Sequence, residues 1–110
     1  MTRRTEKVAA TLQEQLGFQM QKIELPFLTT ISKVEVTQDL KHAKVWITIF
    51  SDREQDEQAV LAALEENKYD LQGEMYEYFA SKNVPRIHFA VDHSEQYSDH
   101  INKLLRETKE

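Results

Sequence analysis

A chain of 110 residues, 40% hydrophobic and 30% charged, has room for one core and is too apolar for a disordered segment. It lacks cysteine, which excludes a disulfide framework, a thiolate metal centre and a cysteine nucleophile. The net charge of −5 argues against an ordinary basic nucleic-acid binder. However, nine acids fall between Asp52 and Glu77 beside only Arg53 and Lys68, a local −7 that leaves the remainder at +2.

From the N-terminus, Val8, Leu12, Leu16, Met20 and Ile23 recur at helical spacing and predict a helix over about 3–23. Arg3, Arg4 and Lys7 stand at its start, where positive charge opposes the helix dipole. They are candidate phosphate contacts; the alternative is a frayed, solvated first turn. The beginning of the chain, Met1–Glu6, has no apolar signal core, and no apolar run approaches membrane-spanning length. The expectation is a soluble cytoplasmic protein, in keeping with the lack of disulfides. Pro26 disfavours helix at Leu25 and closes this segment.

Two runs rich in β-branched residues follow, roughly 31–37 and 43–50, joined by Gln38-Asp39-Leu40-Lys41-His42. Period-two alternation puts Val34 and Val36 on one face, with Ala43, Val45, Ile47 and Ile49 on the same side of an antiparallel hairpin. The other face gathers Lys33, Lys44, Trp46 and Thr48, with Lys41 in the link. A tryptophan beside two lysines is a candidate platform for a nucleic-acid base, worth about 1–3 kcal/mol if a base stacks on it. The bland alternative is a half-buried ring covered by the last helix or the N-terminal arm. Asp39 reads as a turn residue that accepts from backbone amides, and Leu40 as a plug at the core edge.

Ser51-Asp52 marks a helix start, and a long helical segment runs from about 56 to 81 with Val60, Leu64, Leu71 and Met75 as its stripe. Asn67 and Lys68 interrupt that stripe, so a kink between two helices is expected at Asn67-Lys68-Tyr69, and Gly73 adds a second weak point. Asn83-Val84-Pro85 is a turn. Arg86 to Asp92 alternates as a third strand, with Ile87, Phe89 and Val91 inward and Arg86 and His88 on the polar face. Ser94 caps a last helix over about 95–106. The order is α-β-β-α(kink)α-β-α. A crossover between the last two strands makes them parallel, which gives an α+β fold: a three-stranded mixed sheet with helices on one face. One domain spans residues 1–110, structured over about 3–106.

Catalytic and metal-binding patterns are weak. His88, His93 and His100 with Asp92 and Asp99 lack tight ligand spacing. Two glycines cannot build a phosphate loop, and no serine stands in a nucleophile elbow. No enzyme, metal, cofactor or small-molecule substrate is expected.

The segment T-I-S-K-V-E-V-T-Q-D-L-K-H-A-K-V-W-I-T resembles the first signature of the ribosome-binding factor A family, and V-P-R-I-H-F-A-V-D-H-S-E with I-N-K-L-L resembles the second. Both occur in the family's order, and the resemblance covers about 3–106. It implies a type II K-homology fold and a non-catalytic factor that binds the immature small ribosomal subunit, assists maturation of its 16S ribosomal RNA and is linked to cold adaptation. The partners expected from it are the small subunit and its RNA, with the free protein a monomer. The RNA-binding residues expected on this surface are Arg3, Arg4, Lys7, Lys33, Lys41, Lys44, Trp46 and Arg86. One departure stands out. Where the family usually has an Ala-x-Gly kink this chain has Asn67-Lys68-Tyr69, and Gln72 replaces a common arginine. That moves RNA contact to other surfaces or marks a diverged member. The competing class is a protein-interaction module whose acidic 52–77 segment docks on a basic ribosomal protein or a release factor.

Overall fold

The computed structural model describes residues 3–79 and 84–93. Five elements follow one another: α1 (Arg3–Met20), β1 (Thr29–Val36), β2 (His42–Ile49), α2 (Glu54–Tyr78) and β3 (Arg86–Val91). The expected last helix, its Ser94 cap and the residues His100 and Asp99 lie outside the described residues.

The sheet order is β1-β2-β3, with β1 antiparallel to β2 and β2 parallel to β3. The mixed sheet expected from the crossover is therefore present, and α2 is the crossover element. Val34, Val36, Ala43, Val45, Ile47, Ile49 and Ile87 join Leu12, Leu16, Val60, Leu64, Leu71 and Met75 in one buried cluster. Both helices thus cover the same face of the sheet. The inward face of α1 is Thr5, Ala9, Leu12, Leu16 and Met20, while Val8 and Ile23 pack only at its margin.

Strict alternation fails once. The β1–β2 register slips between Ile31 and Lys33, so that Ser32 and Lys33 together oppose Trp46. This bulge changes the parity of β1: Ile31 and Val34, three residues apart, both turn toward the core. Thr48, expected on the open face, is buried at 4% exposure, and its hydroxyl shares a hydrogen bond with that of Ser32.

The hairpin link is held by Leu40 N–H donating to the Thr37 carbonyl and Thr37 N–H donating to the His42 carbonyl, both at 2.9 Å. The Asp39 carboxylate accepts from the Thr37 hydroxyl at 2.6 Å and from the Lys41 N–H at 3.0 Å. Those two bonds lower the Asp39 pKa, the hydroxyl first. Leu40 adopts φ 60° and packs against the core, as a plug should.

The expected kink is corrected. α2 is a single assigned helix of 25 residues that runs through Asn67-Lys68-Tyr69. None of these three residues breaks a helix. Asn67 Nδ2 donates to the Ala63 carbonyl one turn back at 2.8 Å, and Lys68 pairs with Glu65 at 3.8 Å. Both side chains are half-buried, so their stems cover the gap left in the apolar stripe. At the helix start, Arg53 is the N-cap with no side-chain bond, and Ser51 instead donates to Asp56. Glu54, Asp56 and Glu57 supply the negative charge that an N-terminal turn favours.

Candidate nucleic-acid interface

The polar face of the sheet follows from register. Lys33 lies opposite Trp46 and Glu35 opposite Lys44 on the β1–β2 side; Lys44 lies opposite His88 and His42 opposite Arg86 on the β2–β3 side. Thus Lys33, Lys44, Trp46, Arg86 and His88 come together on one surface, as the alternation predicts. Lys41 joins them at the hairpin, where its carbonyl accepts from the Arg86 N–H at 2.8 Å. Arg3, Arg4 and Lys7 are exposed but sit on α1, which packs on the apolar side of the sheet. No described contact links them to the sheet-face residues.

Trp46 is half-buried, not a bare platform. Its indole N–H donates to the Glu35 carboxylate at 2.6 Å. The Lys44 ammonium lies 4.3 Å from its ring centroid and that of Lys33 5.3 Å away. Lys33 also pairs with Glu35 at 3.7 Å. The ring is held by its own neighbours, cations near its π system and an anion on its N–H. A base stacking here has to displace a lysine, whereas a phosphate meets Lys33 and Lys44 without moving the ring.

Two residues outside the expected binding set complete this face. Glu35 is the acid of this face, and its bond to Trp46 depends on cross-strand register. His42 was read only as part of the link, yet its Nδ1 lies 3.0 Å from Nε2 of His88, with ring centroids 5.2 Å apart. Parity was the signal available, since His42 falls in the same alternation as Lys44 and Trp46. Partial burial first, then Lys68, His42 and Arg86, push the His88 pKa down, against an opposing pull from Glu65. His93 turns away and contacts the Glu57 carboxylate at 3.1 Å. Among the described residues no group of three or more His, Asp or Glu side chains could hold a metal ion. No described helix is long and apolar enough to cross a membrane.

The charge balance differs along the face. Glu35 offsets Lys33, but no described carboxylate forms an ion pair with Lys41, Lys44 or Arg86. The β2–β3 half is therefore the more cationic one, and it can neutralise an anionic polymer.

A helix–strand–strand–helix–strand chain with a mixed sheet backed by both helices is a type II K-homology-like α+β domain. The chain belongs to the ribosome-binding factor A family, whose model matches residues 4–105. Among curated relatives, the ribosome-binding factor A of Chlorobium chlorochromatii is 36% identical over 115 aligned positions, which cover 99% of this chain and 90% of that protein. The counterpart from Ligilactobacillus salivarius is 42% identical over 77 residues, covering 70% of this chain and 65% of that protein, slightly under two thirds of its length. The crystal structure of ribosome-binding factor A from Thermus thermophilus superposes with a TM-score of 0.69 at 22% identity, covering 82% of this chain and 97% of that one. A Thermus thermophilus homology model of the same factor, fitted into a cryo-EM map of a 30S complex, gives 0.65 at 24% identity over 77% of this chain and 91% of that one. These likenesses establish the fold.

Proposed function

We propose that this single-domain chain is a non-catalytic cytoplasmic factor that binds the immature small ribosomal subunit and assists maturation of its 16S ribosomal RNA. Free in solution it is a monomer. The observation that carries the reading is the strip of Lys41 in the hairpin, Lys44 on β2 and Arg86 on β3, none of them in a described ion pair, in a chain of this family. The Thermus factor fitted into a 30S complex supports the choice of partner. Lys33, Lys44, Lys41 and Arg86 neutralise phosphates, with Trp46 as a rigid base beneath two of the lysines. Arg3, Arg4 and Lys7 meet a separate RNA segment from α1.

The test is binding of the protein to small subunits, and separately to their free RNA, across a salt series. The variant Lys44→Glu with Arg86→Glu is expected to bind at least about tenfold more weakly, with a shallower salt dependence. Unchanged affinity for both targets would remove the sheet face from the interface. A second reading, docking of a basic protein, is favoured by the outer face of α2, where Tyr69 is 88% exposed beside Glu65, Glu66 and Asp70. Binding to subunits but not to RNA, abolished by Tyr69→Ala with Glu66→Lys, would establish that reading instead.

A further inference from the structure

His42 and His88 occupy the centre of the cationic strip. His42 stands across from Arg86, and His88 across from Lys44, so the four side chains form a square over β2 and β3. All four are exposed. The 3.0 Å separation of His42 Nδ1 and His88 Nε2 is a hydrogen bond only if one nitrogen carries a proton and the other does not. The pair therefore holds at most one positive charge while the bond persists.

The surroundings of His88 oppose a charge on that ring. Lys44 lies beside the pair on β2, Arg86 on β3, Lys41 in the hairpin and Lys68 on α2, against Asp39 in the hairpin, Glu65 on α2 and Glu35 across from Lys44 on β1. Cations outnumber carboxylates around the pair, and they add to desolvation, the larger cause, in lowering the His88 pKa. A hydrogen-bonded histidine pair amid fixed cations, with His88 held short of its proton, is poised to take one up when an anion arrives.

We propose that the His42–Lys44–Arg86–His88 square is an RNA backbone phosphate site, and that binding there takes up a proton on the histidine pair. The proposal rests on the RNA-binding reading above and adds to it a specific site and a linked proton. Phosphate supplies the counter-charge that the protein withholds. The bound pair becomes cationic, either with a charged donor keeping the His–His bond or with each imidazole turning an N–H to the phosphate. Affinity then rises as pH falls, because the bound state holds more protons than the free state.

The experiment measures binding of the full chain to free small-subunit RNA at constant ionic strength between pH of about 8 and about 6, the histidine range. Wild type is expected to tighten by up to about tenfold per pH unit over part of that range, the limit for one linked proton. His42→Gln with His88→Gln keeps polar side chains of similar reach and is expected to bind RNA with no such slope. Calorimetry in two buffers of different ionisation enthalpy should show proton uptake by wild type and none by the variant. The histidine ring resonances of wild type should titrate at higher pH with RNA bound than without. Retained binding with no pH slope, or with the same slope in the double variant, overturns the proton-linked site and leaves the RNA reading standing. Absence of RNA binding at any pH, or binding indifferent to Lys44→Glu with Arg86→Glu, overturns both.

Discussion

Leu40 shows two opposed terms acting on one residue. Its φ of 60° lies in the left-handed region, which costs an L-residue about 1–2 kcal/mol. Its side chain packs against the core and recovers about 1 kcal/mol, roughly half the value of a fully buried leucine. Leu40→Ala keeps the strain and loses the burial, and is expected to destabilise by about 1 kcal/mol. Leu40→Gly loses the same burial but relieves the strain, so it should cost less. Denaturant midpoints of the two variants check the order; a glycine variant weaker than the alanine one would show that φ carries no strain here. Asp39 was legible as the turn residue because an aspartate before a turn has a known use. The left-handed leucine beside it was not, since leucine gives no local sign of that conformation.

The helix α2 and the strand β3 are joined by one side chain. Gln72 Nε2 donates to the Pro85 carbonyl, and its Oε1 accepts from the Ile87 N–H, each at 3.0 Å. The amide thus serves both backbone groups on the side of β3 that faces away from β2. Gln72→Ala strands both and is expected to cost about 1–3 kcal/mol, with faster amide exchange at Ile87. Exchange unchanged at that amide would refute the link. In the same helix, a Cβ at Gly73 would meet nothing within 4 Å. Gly73→Ala should therefore stabilise by about 0.5–1 kcal/mol, read as a rise in Tm; a loss would mean that glycine is required. Strands and helices were legible from β-branched alternation and helical spacing. The Ser32 bulge was not, because Thr30-Ile31-Ser32-Lys33 holds no glycine to mark it. Its only trace is the odd spacing of Ile31 and Val34. The expected kink came from two polar residues in an apolar stripe, but polarity alone does not break a helix whose backbone bonds and side-chain partners are intact.

The charges separate by element: the sheet face and hairpin gather Lys33, Lys41, Lys44 and Arg86, whereas α2 carries eight acids against Lys68 alone. A protein of net charge −5 approaches RNA against its own field, so the strip must supply the attraction at short range. Lys41, Lys44 and Arg86 should by themselves contribute about −2 to −3 to the slope of the logarithm of affinity against the logarithm of salt. Removing Lys44 and Arg86 by charge reversal should take away about 1.5 or more of it. The steeper total slope expected of wild type measures what Lys33, Arg3, Arg4 and Lys7 add, and a slope no steeper than that of the strip would remove those four from the contact. The grouping of these residues was legible, because parity alone assembles Lys33, Lys44, Trp46 and Arg86 on one face. Its internal wiring was not, since Glu35–Trp46 and His42–His88 are cross-strand pairs fixed by register.

The Gln72 clasp has a further consequence for how copies of the protein meet. Among the described residues β3 ends the sheet, and its Ile87-His88-Phe89-Ala90-Val91 run is a largely apolar, β-prone template for strand addition. With both ends of its first free hydrogen-bonding register taken by an amide from α2, an incoming chain finds no place to start pairing there. Gln72 thus occupies the groups from which a second copy would begin pairing. Its loss should appear in concentrated solution, as light scattering that grows with protein concentration.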